Sequence, residues 1–78
     1  MIDKLRNKTA REIVTALRRD GFRLARQRGS HRTYSRGRIK ITVAFHHLKD
    51  TFPIGTLSEI VRRAEWTNED LRRLRLIK

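Results

Sequence analysis

The sequence of 78 residues predicts a small α+β fold with the element order α-β-β-β-α and a short third helix at its end. Two stretches with apolar residues at helical spacing flank a middle stretch in which apolar residues recur at every second position. Glycines divide that middle stretch into three segments, as tight hairpin turns would. We therefore expect one domain over residues 1–78, with a loosely packed lead-in over 1–8. Helices should cover one face of a three-stranded antiparallel sheet.

The first helix is predicted by a capping box at Thr9 and Glu12, in which each side chain accepts a hydrogen bond from the other residue's backbone N–H. Asp20 and Gly21 mark its end, because glycine readily adopts the left-handed conformation that closes a helix. The apolar stripe between these ends consists of Ala10, Ile13, Val14 and Leu17.

Three strands are predicted next, with turns at Arg28-Gly29 and at Ser35-Arg36-Gly37. Phe22 and Leu24 are the apolar residues of the first strand, and Tyr34 is that of the second. The third strand alternates most clearly, with Ile39, Ile41, Val43 and Phe45 on one side. If Tyr34 is in the core, the uncovered face carries Arg23, Gln27, His31, Thr33, Lys40, Thr42 and His46.

Two further helices follow a loop over residues 46–55. Thr56 and Glu59 predict a second capping box at the start of the second helix, which would join the first in covering the sheet. The third helix is predicted to begin at Thr67, with Trp66 packing on Leu71 as a hydrophobic staple. Its apolar stripe would be Leu71, Leu74 and Ile77.

The charge distribution indicates a polyanionic partner. The net charge is +12, and residues 21–49 contain eight Lys or Arg but no Asp or Glu. Such a region favours nucleic acid, although a basic face kept for solubility is the plainer alternative. The sequence has no cysteine and no apolar run of membrane-spanning length, so we expect a cytoplasmic protein without a thiolate site.

A single histidine, His31, follows Gly29-Ser30 with arginines at 26, 28 and 32 around it. Imidazole is suited to moving a proton near neutral pH, and guanidinium groups are suited to holding phosphate. Together they suggest phosphodiester chemistry on a nucleic acid. The alternative is an ordinary surface histidine on a strand. No metal site is expected, because neighbouring strand histidines point to opposite faces.

These motifs, in this order and spacing, resemble the HicA toxins of bacterial type II toxin–antitoxin systems over about residues 9–77. The matching elements are Gly21-Phe22, Arg26 to His31 with Tyr34, Gly55-Thr56-Leu57 and Trp66. The element order, with a basic turn between the first two strands and a helix N-terminus beyond the third, itself looks like the double-stranded-RNA-binding-domain fold. The resemblance to HicA implies a metal-independent mRNA interferase, with His31 as the catalytic histidine. It also implies inhibition by a partner antitoxin, HicB.

Two positions depart from the family pattern. Ala44 stands where members often have a proline shortly before a histidine, here His46. Glu65 stands where a glycine commonly closes the second helix, so Glu65 must close it at a small energetic cost.

We expect His31 to act as base or acid on RNA, whose own 2′-hydroxyl is the nucleophile, so that no cofactor is needed. His46 is the candidate second proton carrier, with a plain surface histidine as the equal alternative. The predicted RNA-binding residues are Arg26, Arg28, Gly29, Ser30, Arg32 and Lys40.

The expected partners are mRNA and a HicB-type antitoxin, with the toxin alone a monomer and its complex a hetero-oligomer. Two other functions stay open at this point. One is a non-catalytic double-stranded-RNA or nucleic-acid-binding module, and the other is a basic domain that binds an acidic protein.

Overall fold

A computed structural model describes residues 5–78 and confirms the predicted element order α-β-β-β-α with a third helix. The elements are α1 (Ala10–Arg19), β1 (Arg23–Arg28), β2 (His31–Arg36), β3 (Ile39–Ala44), α2 (Ile54–Ala64) and α3 (Asn68–Arg73). The start of the predicted lead-in, residues 1–4, lies outside the described residues.

The three strands form an antiparallel sheet in the order β1-β2-β3, joined by two hairpins. Arg28 pairs with His31, and Arg36 pairs with Ile39, so each hairpin has a loop of two residues. Gly29 and Gly37, with φ of 55° and 59°, are the first loop residues. The first turn begins one residue later than predicted and the second begins two residues later, because Arg28, Ser35 and Arg36 still pair across their hairpins.

A bulge interrupts β1 at Ala25. Leu24 pairs with Tyr34 and Arg26 pairs with Thr33, which leaves Ala25 without a partner in β2. An extra residue reverses the side-chain alternation beyond it. Consequently Leu24 lies on the side of Tyr34, whereas Arg26 and Arg28 lie on the opposite side. The strict alternation predicted for the first strand was wrong.

The capping box of α1 forms as predicted: the Thr9 backbone N–H donates to the Glu12 carboxylate at 3.0 Å, and the Glu12 N–H donates to the Thr9 hydroxyl at 3.2 Å. Gly21, with φ of 88°, follows the helix as expected. The helix start is also bonded to the loop before α2, since the N–H groups of Ala10 and Arg11 donate to carbonyls of that loop.

The second predicted capping box is wrong. Helix α2 begins at Ile54, two residues before Thr56, and its N-cap is Pro53, which provides no side-chain hydrogen bond. The Leu57 N–H bonds the Pro53 carbonyl at 3.1 Å, so Thr56 lies within the first turn. Glu59 is therefore free of a capping role and forms ion pairs with Arg62 and Arg63 instead.

At the other end of α2, Glu65 has φ of 59° and ψ of 35°, the left-handed conformation expected from the missing glycine. The predicted start of α3 at Thr67 is confirmed, and a capping box between Thr67 and Asp70 forms there. The predicted apolar stripe of α3 is only partly right. The helix ends at Arg73 with Leu74 as its C-cap, and Arg75 is left-handed, so Leu76 is buried, whereas Ile77 is half-buried.

One apolar cluster joins both long helices to one face of the sheet, and it includes the predicted strand residues Tyr34, Ile41 and Val43. Leu5 is fully buried in this cluster, although the sequence predicted loose packing there. Leu24, expected in the core, is 44% exposed because β1 is an edge strand along which every residue is exposed.

The carboxylate of Asp20 joins three distant parts of the chain, which the sequence did not predict. It forms ion pairs with Arg36 of β2 and with Arg73 of α3, and it accepts a hydrogen bond from the Trp66 indole at 2.8 Å. Partial burial by itself would raise the pKa of Asp20. The hydrogen bonds from Trp66 and Arg73 and the charge of Arg36 outweigh it, so the pKa lies below its ordinary value.

Candidate functional site

The face of the sheet turned away from the helices is polar and basic, and we call it the open face. Its residues follow from the strand register and include Arg23, Arg26, Arg28, His31, Thr33, Lys40 and Thr42. The prediction placed Gln27 there instead of Arg26 and Arg28. That was wrong because of the Ala25 bulge: Gln27 pairs with Arg32 on the covered side and donates to the Gly29 carbonyl at 3.2 Å.

His31 lies in a shallow pocket of about 150 Å³ on the open face, lined by Arg26, Arg28, His31 and Thr33. Arg28 is the direct cross-strand partner of His31, and Arg26 is that of Thr33. Opposed residues of antiparallel strands have Cα atoms about 4.5–5.5 Å apart. Two guanidinium groups thus flank an exposed imidazole, and none of the described residues that line this pocket is acidic.

The turn of the first hairpin fixes the pairing of Arg28 with His31, both of which line this pocket. Gly29 supplies the positive φ of 55° at the first loop position, where a side chain would be strained. The Ser30 carbonyl accepts a hydrogen bond from the Phe45 N–H at 3.1 Å, which extends the β2–β3 pairing to the turn. The backbone of the Gly-Ser-His element is therefore fixed from both sides.

Arg32 is not brought together with His31. It pairs with Val43 on the covered side of the sheet, where it is half-buried. Its guanidinium carbon lies 4.2 Å from the centroid of the Phe45 ring, and the same group donates to the Phe45 carbonyl at 3.2 Å. These contacts hold Arg32 against the end of β3, away from the pocket.

Lys40 lies on the open face but outside the His31 pocket. It is exposed and lines a groove of about 630 Å³ between β3 and α2, which we call the α2–β3 groove. On the sheet side this groove is lined by Thr33, Lys40 and Thr42, and on the helix side by Gly55, Glu59 and Arg63. Thr33 lines both the pocket and the groove, so the two concavities adjoin at this residue.

His46 is exposed in the bend that follows β3, and it does not line the His31 pocket. The Asp50 carboxylate accepts hydrogen bonds from the backbone N–H groups of His46 and His47, at 3.2 and 3.0 Å. The hydrogen bond from His47 contributes most to lowering the pKa of Asp50, so the carboxylate is ionised and fixes the loop that carries His46.

Within residues 5–78, no group of three or more His, Cys, Asp or Glu side chains lies close enough together to hold a metal ion. No helix in the same range is both long and apolar enough to cross a membrane.

A family model described as the HicA toxin of bacterial toxin–antitoxin systems matches residues 10–66, well over half of the chain. The chain belongs to the HicA toxin family. No curated protein sequence matches it significantly. This HicA protein is thus a toxin of a toxin–antitoxin pair, with an antitoxin as its partner. The matched range contains the His31 pocket, the open face and all of α2, and it ends before α3.

Sequence reasoning missed part of the surface that this HicA fold assembles. Thr33 and Thr42 were placed on the open face but given no role, yet their hydroxyls lie 2.9 Å apart between the pocket and the groove. Glu59 and Arg63 were missed because Glu59 was assigned to a cap that does not form. The available signal was their i,i+4 spacing, which favours the ion pair observed at 2.9 Å.

Proposed function

We propose that this HicA toxin is an endoribonuclease that cleaves mRNA, with His31 as its general base or acid. The observation that supports the proposal is the exposed pocket that His31 shares with Arg26 and Arg28. An imidazole can accept and release a proton near neutral pH, and the neighbouring guanidinium groups can bind the phosphate whose ester bond is cut.

The reaction is an internal transfer at phosphorus. A base removes the proton of the ribose 2′-hydroxyl, and the 2′-oxygen bonds to the adjacent phosphorus. The bond between phosphorus and the 5′-oxygen breaks, and an acid protonates that oxygen as it leaves. The products are a 2′,3′-cyclic phosphate and a 5′-hydroxyl end. Such proton transfer is worth about 10²–10⁴ in rate.

Negative charge grows on the phosphoryl oxygens during this transfer, and fixed cations stabilise it most where no carboxylate competes. Arg26 and Arg28 meet that condition, because none of the described residues that line their pocket is acidic. Gly29 and Ser30 form the turn beside which the phosphate would bind. Arg32 is left out of this clamp, since its guanidinium is engaged with Phe45 on the covered side.

In this transfer one group accepts the proton of the 2′-hydroxyl and another donates a proton to the leaving 5′-oxygen. The reaction can therefore use a second proton carrier beside His31. His46 is the proposed candidate, because it is exposed and its backbone is held by Asp50 at the end of the strand that pairs with His31. Solvent water is the alternative carrier. A His46→Ala protein distinguishes them, since loss of a carrier lowers kcat and leaves KM unchanged.

The antitoxin is proposed to be of the HicB type and to act by covering the open face. Residues 21–49 carry eight cations and no carboxylate. This charge attracts the carboxylates of an acidic protein as readily as it attracts phosphates. One bound partner would therefore exclude the other.

Incubation of the pure protein with single-stranded RNA in a chelator tests the nuclease. We expect the wild type to cut and His31→Ala to be slower by about 10²–10⁴-fold, with unchanged RNA affinity and unfolding midpoint. His47→Ala is the matched control, because His47 is exposed, lies in the loop and lines no part of the pocket. Cutting by His31→Ala at the wild-type rate would refute the assignment. RNA binding without cutting by the wild type would leave a non-catalytic RNA-binding module.

A further inference from the structure

The α2–β3 groove differs in chemistry from the His31 pocket that it adjoins. Its lining includes two aliphatic side chains, Ile41 and Ile60, that belong to the core and are only 1% and 3% exposed. Hydroxyls of Thr33 and Thr42 stand beside them, 2.9 Å apart. The groove has a volume of about 630 Å³, within the usual range for small-molecule sites.

The distribution of charge assigns different parts of a nucleotide to the two concavities. The helix wall of the groove carries Glu59, which forms an ion pair with Arg63 at 2.9 Å. This pair is neutral in sum and places a carboxylate on the helix wall, which disfavours a phosphate there and leaves Lys40, on the sheet side, as the lining cation that makes no ion pair among the described residues. The His31 pocket has two arginines instead, and none of its described lining residues is acidic.

We propose that the α2–β3 groove binds the unstacked nucleobase next to the scissile phosphate of a single-stranded RNA. The proposal rests on the nuclease function, because it takes the phosphate to lie in the His31 pocket. Single-stranded RNA is commonly recognised through bases splayed out of the stack and bonded at their edges. The exposed carbon atoms of Lys40, Arg63 and the threonines that line the groove suit the face of the base, and the threonine hydroxyls suit its polar edge.

The two sites adjoin at Thr33, which lines both of them. His31 and Thr33 are two residues apart on the same strand face, so their Cα atoms lie about 7 Å apart. Thr42 faces Thr33 across the β2–β3 pair, directly at the groove. Lys40, exposed at the groove wall, makes no ion pair among the described residues and can meet the phosphate that follows the bound base.

Gly55→Leu is the variant that fills the groove. A Cβ at Gly55 meets nothing within 4 Å, and the residue lies in α2 without a positive φ, so a side chain there is compatible with the fold. Asn68→Leu is its matched control. It places the same side chain at an exposed position in the first turn of α3, outside the groove.

The two variants are compared for binding in a His31→Ala background, which keeps the RNA intact. The ligands are a fluorescent single-stranded pentaribonucleotide and an abasic ribose-phosphate oligomer of equal length and charge. We expect Gly55→Leu to weaken binding of the pentaribonucleotide by about fivefold to a hundredfold, as for loss of one bound base. It should leave binding of the abasic oligomer unchanged. Asn68→Leu should change neither.

Thr42→Val provides a second test that keeps side-chain size, and we expect a severalfold loss confined to the base-containing ligand. Equal affinity of the parent protein for both ligands, or an unchanged affinity after Gly55→Leu, would overturn the groove assignment. Base-dependent binding by a wild-type protein that never cuts RNA would instead overturn only the nuclease proposal.

Discussion

Arg28 pairs with His31 across the first hairpin, on the side of the sheet opposite to the Leu24–Tyr34 pair. Leu24 and Arg28 are four residues apart and would share a face in a regular strand. The bulge at Ala25 separates them, so that Tyr34 stays in the core while a guanidinium stands beside the imidazole. The proposed site therefore depends on one irregular residue in β1.

Replacing Arg28 by Gln should weaken RNA binding by removing one cation that binds phosphate. For single strands, the slope of log K against log [salt] should become shallower by about 0.7 for each phosphate that the protein no longer neutralises. Replacing Arg26 as well should roughly double that change. Affinity titrations at several salt concentrations measure it directly.

Arg38→Gln is the matched control for this charge effect. Arg38 is exposed in the second hairpin loop and lines neither the pocket nor the groove, yet its loss changes the net charge equally. If Arg38→Gln reduces the salt slope as much as Arg28→Gln does, the binding depends on net charge alone and not on the pocket.

Two glycine-to-alanine changes should affect stability in opposite directions. Gly29→Ala introduces a Cβ at φ of 55° and should destabilise the protein by about 1 kcal/mol. Gly55 lies in α2, and a Cβ added there would have no neighbouring atom within 4 Å, so Gly55→Ala should stabilise by about 0.5 kcal/mol. Urea unfolding curves measure both changes, and equal shifts in one direction would contradict this assignment of backbone strain.

The element order could be predicted because its signals are local. The residues of the Thr9–Glu12 capping box, those from Thr67 to Asp70 that begin α3, and the alternating residues from Ile39 to Phe45 each lie close together in the sequence. His31 was placed on the open face correctly. The buried Tyr34 and the pairing with β3 determine which residues of β2 point away from the helices.

Other features depend on contacts between distant parts of the chain and were not predicted. The bulge at Ala25 keeps Leu24 on the covered side and places Arg26 and Arg28 on the open face. Only the pairing with β2 shows where in β1 the extra residue lies. The Trp66 indole and the Asp20 carboxylate are 46 residues apart in sequence. The roles of the predicted RNA-binding residues stay predictions until RNA binding is measured.

Glu65→Gly should stabilise the protein by about 0.5–1 kcal/mol. Glu65 closes α2 at φ of 59°, where an L side chain is strained and glycine is not, although glycine costs more entropy on folding. Glu65→Ala is the control, because it removes the same charge and retains the Cβ. An equal gain for both variants in thermal unfolding would show that charge, and not backbone conformation, sets the effect.

Asp20→Asn should destabilise the protein at pH 7 by about 1–3 kcal/mol, because Asp20 holds Arg36, Arg73 and Trp66 together from a side chain that is only 11% exposed. The pKa of Asp20 is lowered in the folded state from an ordinary value of 3.8. Its contribution is therefore complete above that value and is lost as the pH falls through the folded pKa.

The difference in free energy of unfolding between wild type and Asp20→Asn should thus be constant from pH 7 to about 5 and shrink below about 4. Urea titrations at each pH measure it. Glu69→Gln is the control, since Glu69 is exposed and forms no ion pair among the described residues, and it should differ from wild type by less than about 0.5 kcal/mol. A difference for Asp20→Asn that persists unchanged at pH 3 would show that the side chain acts through packing, and not through its charge.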